Sequence, residues 1–260
     1  MNVADSNKVG SSLLQNGQVL RIELAAPKAN ILDLSMITAL HDRLTWAQQQ
    51  QRIKAIMLCA QGDHFSFGAS VEEHQRDQVA QMLPRFHALV ETLCTVGIPT
   101  LAVLRGNCLG GGLELVAGCT ALFASPTVKL GQPEIRLAVF APLGSLLLPW
   151  RVGGRALELL CSGRTVNASE ALGLGLLHSV TEDPEAACLS YIERNLLPLS
   201  ASSLRFAERA ARTTLTHLLR TELPKLEQLY LEELMATADA SEGIAAFLAK
   251  RPPRYANEGV

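Results

Sequence analysis

The chain has 260 residues, of which 48% are hydrophobic and 18% charged, and its formal net charge is −2. This length suits one large domain or a domain with an appendage, and the composition excludes an intrinsically disordered protein. The balanced charge offers no basic surface for nucleic acid. No apolar run reaches the roughly 20 residues of a membrane-spanning helix. We therefore expect a globular protein that binds neither nucleic acid nor a membrane.

The start of the chain and the cysteines indicate the compartment. Residues 1–8 lack the apolar core of a secretion signal. Six cysteines form no Cys-x-x-Cys pair, and most of them have apolar neighbours. Such cysteines are typical of small buried side chains in a reducing compartment, not of disulfides or metal ligands. The sequence thus predicts a cytoplasmic protein without a metal site.

Strand-like and helix-like segments alternate over the first two-thirds of the chain. Residues 19–24 alternate like a half-buried strand. Asp33 or Ser35 can cap a helix that runs to about Gln51. Residues 53–60 form an apolar run that is rich in strand-forming side chains.

The alternation continues through the middle of the chain. Residues 78–96 are helix-like despite Pro84, which marks either a helix start or a kink. A strand over 101–104, a helix that ends near Gly118 and a strand over 121–124 follow. This β–β–α order is typical of a layered α/β fold.

The last quarter of the chain is predicted to be helical. Apolar residues at helical spacing predict helices over 200–219, 224–239 and 241–250, with no strand between them. No low-complexity linker separates this part from the rest. We therefore divide the chain into an α/β core (1–195) and a helical C-terminal region (196–260), and we expect the two to pack together. A helical tail of this kind often serves as a lid or an oligomerisation arm.

A glycine-dense loop and two glutamates are the strongest functional signal. Three successive glycines (110–112) remove every Cβ from one spot, so a ligand can lie directly on the backbone. The backbone N–H groups of these glycines lie at the start of a predicted helix, where negative charge is favoured. Glu114 lies in an otherwise apolar segment, where a carboxylate is costly unless it is paired or used, and Glu134 ends a Gly-Gln-Pro-Glu motif. The pattern predicts a site that binds an oxyanion and handles water with an acid/base pair.

Five motifs, in order and properly spaced, resemble those of the crotonase (enoyl-CoA hydratase/isomerase) superfamily over nearly the whole chain. They occupy residues 27–30, 65–70, 106–114, 131–134 and 242–251. The resemblance implies a crotonase-like spiral of β–β–α units, with a C-terminal helical arm that builds trimers stacked as a hexamer. It also implies an acyl-CoA thioester substrate. Coenzyme A is then part of the substrate, and no separate cofactor is expected.

The resemblance also implies roles for individual residues. By position, the backbone N–H groups of Ala69 and Gly111 bind the thioester oxygen as it becomes an enolate. Glu114 and Glu134 hold and split a water molecule, and either of them can be the acid or the base. Because both glutamates are present, the family pattern favours hydration or dehydration over isomerisation or thioester hydrolysis.

The expected contacts of coenzyme A come from the same resemblance. The pantetheine should lie near Ala69, and the adenine end near Lys28 and Ala29. Lys250, from the same or a neighbouring subunit, can contact a phosphate, since a flexible ammonium suits a point-charge contact. The alternative for Lys250 is an ordinary solvated lysine at a helix end.

Two departures from the family pattern matter. Ser70 stands where Asp is usual, and we interpret it as one helix cap replacing another. After Glu134, ordinary hydratases have a glycine-rich stretch, whereas this chain has Phe140, Ala141 and Pro142 as a predicted wall of the acyl pocket.

The Phe-Ala-Pro stretch resembles the alicyclic dienoyl-CoA hydratases of anaerobic benzoyl-CoA degradation. Those enzymes add water to cyclohexa-1,5-diene-1-carbonyl-CoA and give 6-hydroxycyclohex-1-ene-1-carbonyl-CoA. Three alternatives stay open at this point. They are a straight-chain enoyl-CoA hydratase, another activity of the superfamily such as isomerase or thioesterase, and a non-catalytic binding or scaffold protein with the same fold.

Overall fold

The computed structural model describes residues 8–75 and 78–257, so nearly all of the N-terminal segment considered above lies outside the described residues. Nine strands are assigned within these ranges: β1 Val9–Leu14, β2 Val19–Leu24, β3 Ala55–Ala60, β4 Thr100–Leu104, β5 Asn107–Leu109, β6 Ala121–Ala124, β7 Lys129–Gly131, β8 Thr165–Asn167 and β9 Ser179–Val180. The same ranges contain ten α-helices: α1 Leu34–Gln48, α2 Val79–Thr95, α3 Gly111–Ala117, α4 Pro142–Val152, α5 Arg155–Ser162, α6 Ala168–Leu174, α7 Pro184–Asn195, α8 Ala201–Ala211, α9 Thr213–Gln228 and α10 Ala238–Leu248.

Two sheets organise the α/β part. The larger sheet has the strand order β1-β2-β3-β4-β6-β9, in which β1 and β2 are antiparallel and the other pairs are parallel. The smaller sheet has the order β5-β7-β8. Parallel strands need cover on both faces. One face of the larger sheet packs on the main core, to which α1, α2, α3, α4 and α9 contribute, and α7 covers the other face.

The predicted elements of the first two-thirds are confirmed with small changes at their ends. Strands β2, β3, β4 and β6 and helices α1, α2 and α3 lie where the sequence pattern placed them. The cap of α1 is Asp33, whose Oδ1 accepts a hydrogen bond from Met36 N at 3.0 Å, so Ser35 is not the cap. Pro84 lies inside α2, which begins at Val79, so this proline does not mark a helix start.

The predicted helix over 200–219 is two helices, because the chain turns at Arg212. The Arg212 guanidinium is buried and donates to Glu208 Oε1 at 2.6 Å and to Gly118 O at 2.7 Å. These bonds hold the junction of α8 and α9 against the end of α3.

The predicted boundary near residue 224 is also wrong, because α9 continues through Pro224. A π-helical turn, Leu229–Glu233, and a 3-10 turn, Leu234–Ala236, then lead to α10, which Thr237 caps. No strand occurs between α8 and α10 in the part of the chain that is described. Helix α9 packs against α2 and α4, so the helical region contacts the α/β core directly, as expected. The division of the chain at residue 195 stays a prediction.

All six cysteines are free thiols, and five of them are buried as predicted. Cys161 is exposed, because it lies two residues after the buried Leu159 on α5 and therefore on the opposite face. Over the described ranges, no helix is long and apolar enough to cross a membrane. The same residues contain no group of three or more His, Cys, Asp or Glu side chains that could hold a metal ion.

Candidate active site

A cavity of about 600 Å³ lies where the glycine loop, the start of α4 and helix α10 meet. Its size is that of a typical small-molecule site. Seven of the residues that the sequence proposed for the site line this cavity: Ala69, Gly111, Glu114, Glu134, Phe140, Ala141 and Pro142. The structure thus brings the two predicted donors, the two carboxyl groups and the predicted wall to one place.

The glycine loop has no Cβ atoms because its neighbours occupy that space. A Cβ on Gly110, whose φ is +52°, would lie 2.6 Å from Glu134 Oε1. A Cβ on Gly112 would lie 2.8 Å from the Ser66 Cβ. At distances below 3.0 Å an added Cβ would force its neighbour to move, which here means the Glu134 carboxylate or the 65–70 loop. The run of glycines therefore lets the start of α3 contact both the 65–70 loop and the second carboxyl group.

The backbone amides of Ala69 and Gly111 are neighbours with no partner of their own. A Cβ built on Gly111 would lie 3.1 Å from Ala69 N. Gly111 is the first residue of α3, so its N–H has no acceptor within the helix. Neither amide donates a hydrogen bond to another described residue. Two free donors side by side can bind a carbonyl oxygen on which negative charge develops.

The loop that carries Ala69 is fixed on both sides. Leu32 N donates to Gly68 O at 2.9 Å, and Ser70 N donates to Leu32 O at 3.4 Å. The Ser70 hydroxyl also accepts a hydrogen bond from Glu73 N at 3.3 Å, at the start of a 3-10 turn. Ser70 thus makes a cap-like hydrogen bond to this turn, although Val71 is the residue at the N-cap position, so the interpretation of Ser70 as a helix cap stays a prediction.

Glu114 is held at the start of α4. Glu114 is only 5% exposed, and its Oε1 accepts a hydrogen bond from Gly144 N at 2.6 Å. Burial raises the pKa of Glu114 to about 7, although the backbone amides of Gly144 and Leu143 act in the opposite direction. The carboxyl group is therefore poised to exchange a proton near neutral pH.

Glu134 lies on the 3-10 turn Pro133–Leu137 and is oriented by Gln132. With its NH₂ turned towards Glu134, the buried Gln132 side chain donates to both carboxylate oxygens, at 3.0 and 2.9 Å. Desolvation, followed by the charge of Glu114, raises the pKa of Glu134 well above its ordinary value. Because two such groups resist double ionisation, the pair retains a proton near neutral pH and titrates as one system.

The predicted wall is the beginning of α4. Ala141 precedes this helix and Pro142 is its first residue, a position for which the fixed φ of proline is well suited. The Phe140 ring packs against Tyr230 with the ring centroids 5.4 Å apart. Since the amide that binds Glu114 is on the same helix turn, the wall and this carboxyl group are positioned together.

The three remaining predicted residues lie beside the cavity, not in its lining. Lys28 is exposed at φ +99°, and the adjacent Ala29 O accepts a hydrogen bond from Phe67 N at 2.9 Å. Phe67 lines the cavity. Lys250 is exposed at the end of α10, next to Arg251, which also lines the cavity. The contacts of these residues with coenzyme A stay predictions.

Sequence reasoning missed several residues of the cavity lining, among them Phe67, His74, Phe86, Arg136, Tyr230 and Arg251. Tyr230 falls within the predicted helix over 224–239, where helical periodicity indicates burial but cannot tell a core from a cavity wall. His74 lies within a loop pattern that gives no signal for a pocket. Its Nδ1 is 2.7 Å from Ser70 O, and burial lowers its pKa.

Comparisons with known proteins identify relatives of the chain. A family model described as Enoyl-CoA hydratase/isomerase matches residues 15–258. The cyclohexa-1,5-dienecarbonyl-CoA hydratase of Thauera aromatica is 51% identical over 94% of this chain and 95% of its own length. A probable enoyl-CoA hydratase of Bacillus subtilis (strain 168) is 32% identical over 89% of this chain and 93% of its own length.

Solved structures give the same result for the fold. The crystal structure of an enoyl-CoA hydratase/isomerase from Pseudoalteromonas atlantica T6c is 27% identical and superimposes with a TM-score of 0.85. The match covers 96% of this chain and all of that chain. The predicted crotonase-like α/β fold with a helical C-terminal region is thereby confirmed. The chain belongs to the enoyl-CoA hydratase/isomerase family.

Proposed function

We propose that this protein is a hydro-lyase that adds water to cyclohexa-1,5-diene-1-carbonyl-CoA and forms 6-hydroxycyclohex-1-ene-1-carbonyl-CoA, a step of benzoyl-CoA degradation. The observation that carries the proposal is the convergence of two free amides, two carboxyl groups and a rigid apolar wall on one cavity. The name of the Thauera aromatica relative, at 51% identity, supports the cyclic diene as substrate.

The oxyanion donors direct the electrons of the reaction. With the thioester oxygen bound by Ala69 N and Gly111 N, the water oxygen forms its bond to ring carbon C2, and the displaced electron pair moves through C1 into the carbonyl. The resulting dienolate returns its electrons through C6 to C5, which takes a proton, and a C1–C6 double bond remains. Renumbered, this product carries its hydroxyl at position 6 and its double bond at position 1. One water molecule has been added and nothing is oxidised or reduced.

The two glutamates balance the protons of this reaction. The ionised member of the pair takes a proton from the attacking water, and the protonated member gives one to ring carbon. The raised pKa values of Glu114 and Glu134 support a pair that carries one proton at the start of each turnover. After turnover the proton has changed its position within the pair, and exchange with solvent restores the starting state.

The expected surroundings of the reaction complete the proposal. Coenzyme A belongs to the substrate, with its adenine end near Lys28 and Ala29 and a phosphate near Lys250. No metal and no separate cofactor take part. The protein works in the cytoplasm as a trimer or as a hexamer of two stacked trimers.

The proposal is tested by comparing two substrates. We expect a higher kcat/KM for the cyclic dienoyl-CoA than for crotonyl-CoA, and mass analysis should show products heavier by one water. Replacing Phe140, Ala141 and Pro142 with a glycine-rich segment should weaken this preference, because the wall then no longer fixes the position of the ring. Thermal unfolding of the variant controls for loss of structure.

The other outcomes point to the alternatives. Equal kcat/KM for the two substrates would contradict a specific role in hydrating the cyclic diene and would indicate a general enoyl-CoA hydratase. A moved double bond, or free coenzyme A without a hydroxylated product, would indicate an isomerase or a thioesterase. Binding of both esters without any turnover would indicate a non-catalytic protein.

A further inference from the structure

The Tyr230 hydroxyl is a buried polar group without a partner. The residue is 1% exposed, and its hydroxyl makes no hydrogen bond to any described residue. Leaving a buried hydroxyl unsatisfied is unfavourable, and such groups are uncommon in folded proteins. An unpaired donor of this kind requires an explanation, and a ligand that supplies the missing acceptor is one.

The position of Tyr230 points to the reaction site. The residue lines the cavity, and its ring lies edge-on against Phe140 of the predicted wall. It belongs to a π-helical turn between α9 and α10, and turns of this type occur frequently at functional sites. After burial, the charges of Glu134 and Glu114 raise the pKa of Tyr230 further, so the hydroxyl lies in the field of both carboxyl groups and stays protonated.

Around the acyl part of the proposed substrate, only one acceptor is left for this hydroxyl. The ring of a cyclohexadienoyl thioester contains no heteroatom, and its carbonyl oxygen is assigned to Ala69 and Gly111. The remaining acceptor is the oxygen that reacts. It is a water molecule in the hydration direction and the ring hydroxyl in the dehydration direction.

We propose that the Tyr230 hydroxyl donates a hydrogen bond to the oxygen that is added to or removed from the ring, which makes it a third catalytic group beside Glu114 and Glu134. The inference rests on the proposed function for the identity of the substrate. Tyr230 keeps its proton throughout, so the proton balance of the glutamate pair is unchanged. Its contribution is to hold the water for attack and, in the reverse reaction, to stabilise the ring oxygen as it takes a proton from the glutamate pair and departs as water.

Replacing Tyr230 with Phe removes one oxygen atom and keeps the ring against Phe140. We expect Tyr230→Phe to lower kcat about tenfold or more, which is the usual worth of one hydrogen bond. The inhibition constant of cyclohexane-1-carbonyl-CoA should change by less than about twofold, because this saturated ester brings no reacting oxygen. Tyr191→Phe is the matched control, because Tyr191 packs on Phe123 and His178, away from the cavity lining, and it should change neither value.

A merely structural role for the hydroxyl would give different results. Loss of a structural contact would lower the melting temperature and raise the inhibition constant together with the loss of kcat. The proposal requires a melting temperature at least as high as that of the unmodified protein, since an unpaired buried hydroxyl has been removed. It also requires a kcat–pH profile of unchanged shape, since Tyr230 does not titrate in the working range. A kcat within about twofold of normal would overturn the proposal.

The experiment separates this inference from the proposed function. The unmodified protein is first tested with the cyclic dienoyl-CoA and with crotonyl-CoA, and that result alone decides the substrate. The Tyr230→Phe ratio is then measured on the ester that is hydrated. If that ester is crotonyl-CoA, butyryl-CoA replaces the saturated cyclic ester as the unreactive ligand. The same loss of kcat with unchanged binding would support Tyr230 as a contact of the reacting oxygen on either substrate.

Discussion

The carboxyl group of Glu114 is buried, and burial disfavours its ionised form. Burial raises its pKa from an ordinary 4.5 to about 7. Between these two values the folded protein retains a proton that the unfolded chain releases. The free energy of unfolding therefore falls as pH rises through this window, and above it Glu114 opposes folding most strongly. Groups that are needed for activity commonly lower the stability of the fold in this way.

Glu114→Gln separates the two effects, because glutamine can still accept from Gly144 N but cannot ionise. We expect kcat to fall by about 10²–10⁴ with little change in KM. The free energy of unfolding should rise by about 1–3 kcal/mol near pH 8, and change little near pH 4.5. Urea unfolding at the two pH values measures this difference. Glu91→Gln is the control and should affect neither property. The Glu91 carboxylate is partly exposed, and its contact with Arg220 is long, at 3.8 Å.

Two outcomes would contradict this account of Glu114. A near-normal kcat in Glu114→Gln would remove the residue from the mechanism. A loss of stability near pH 8 would mean that the ionised carboxylate stabilises the fold. Glu134→Gln should lower kcat within the same range, because the two residues act as one acid/base pair.

At the scale of elements, the catalytic turn that carries Glu134 depends on a close approach of α10. A Cβ on Gly243 would lie 2.5 Å from the Leu137 carbonyl carbon and closer still to its oxygen, so α10 packs backbone to backbone against the 3-10 turn Pro133–Leu137. No side chain can occupy that position unless the helix and the turn move apart. Such a movement would displace the Glu134 carboxyl group, which we propose as the second member of the acid/base pair.

Gly243→Ala should therefore lower stability by about 1–3 kcal/mol, the usual effect of overpacking, and should also lower kcat. Gly173→Ala is the matched control, since Gly173 lies within helix α6 with no heavy atom within 4 Å of an added Cβ. That change should be neutral or should stabilise by up to about 1 kcal/mol through helix propensity. Urea unfolding and steady-state kinetics of both variants measure these effects. Normal activity in Gly243→Ala would show that the turn does not depend on α10.

The elements that the sequence predicted well are those with a strong local pattern. Residues 19–24 alternate because one strand face packs on the main core and the other on α7, and this alternation is visible without a structure. Strands β5, β7 and β8 have three residues each, which is too short for any periodicity. Arg212, at the break between α8 and α9, makes a hydrogen bond to Gly118, 94 residues away, and local patterns contain no such information.

The same distinction holds for the candidate site. Glu114 and the glycine loop are recognisable because a carboxylate and three glycines are unusual in an apolar segment. That they lie next to Glu134 in the folded protein could be predicted only from the family resemblance. Tyr230 looked like one more apolar residue of a helix, because its unpaired hydroxyl is a property of the folded cavity.

At the scale of the whole molecule, the helical region completes the active site. Four residues of α10, Gly243, Ile244, Ala246 and Phe247, line a cavity whose proposed catalytic groups come from the α/β core. Tyr230 lines it from the turn that precedes α10. The helical region therefore forms part of the candidate site, and we predict that removal of residues 196–260 would open the cavity.

The surface of the helical region also suggests how copies of the chain associate. Phe206 on α8 is 68% exposed, and Phe247 on α10 is 54% exposed. Large exposed aromatic side chains favour protein contacts. We propose, from the family resemblance, that light scattering gives the mass of three or six copies of the 28.0 kDa chain. The melting temperature should then rise with protein concentration, because association stabilises the folded chains. Phe206→Ser should weaken this association, whereas Leu13→Ser, at an exposed position near the end of β1, should not. A monomer at working concentration, with a melting temperature independent of concentration, would contradict an oligomer built through the helical region.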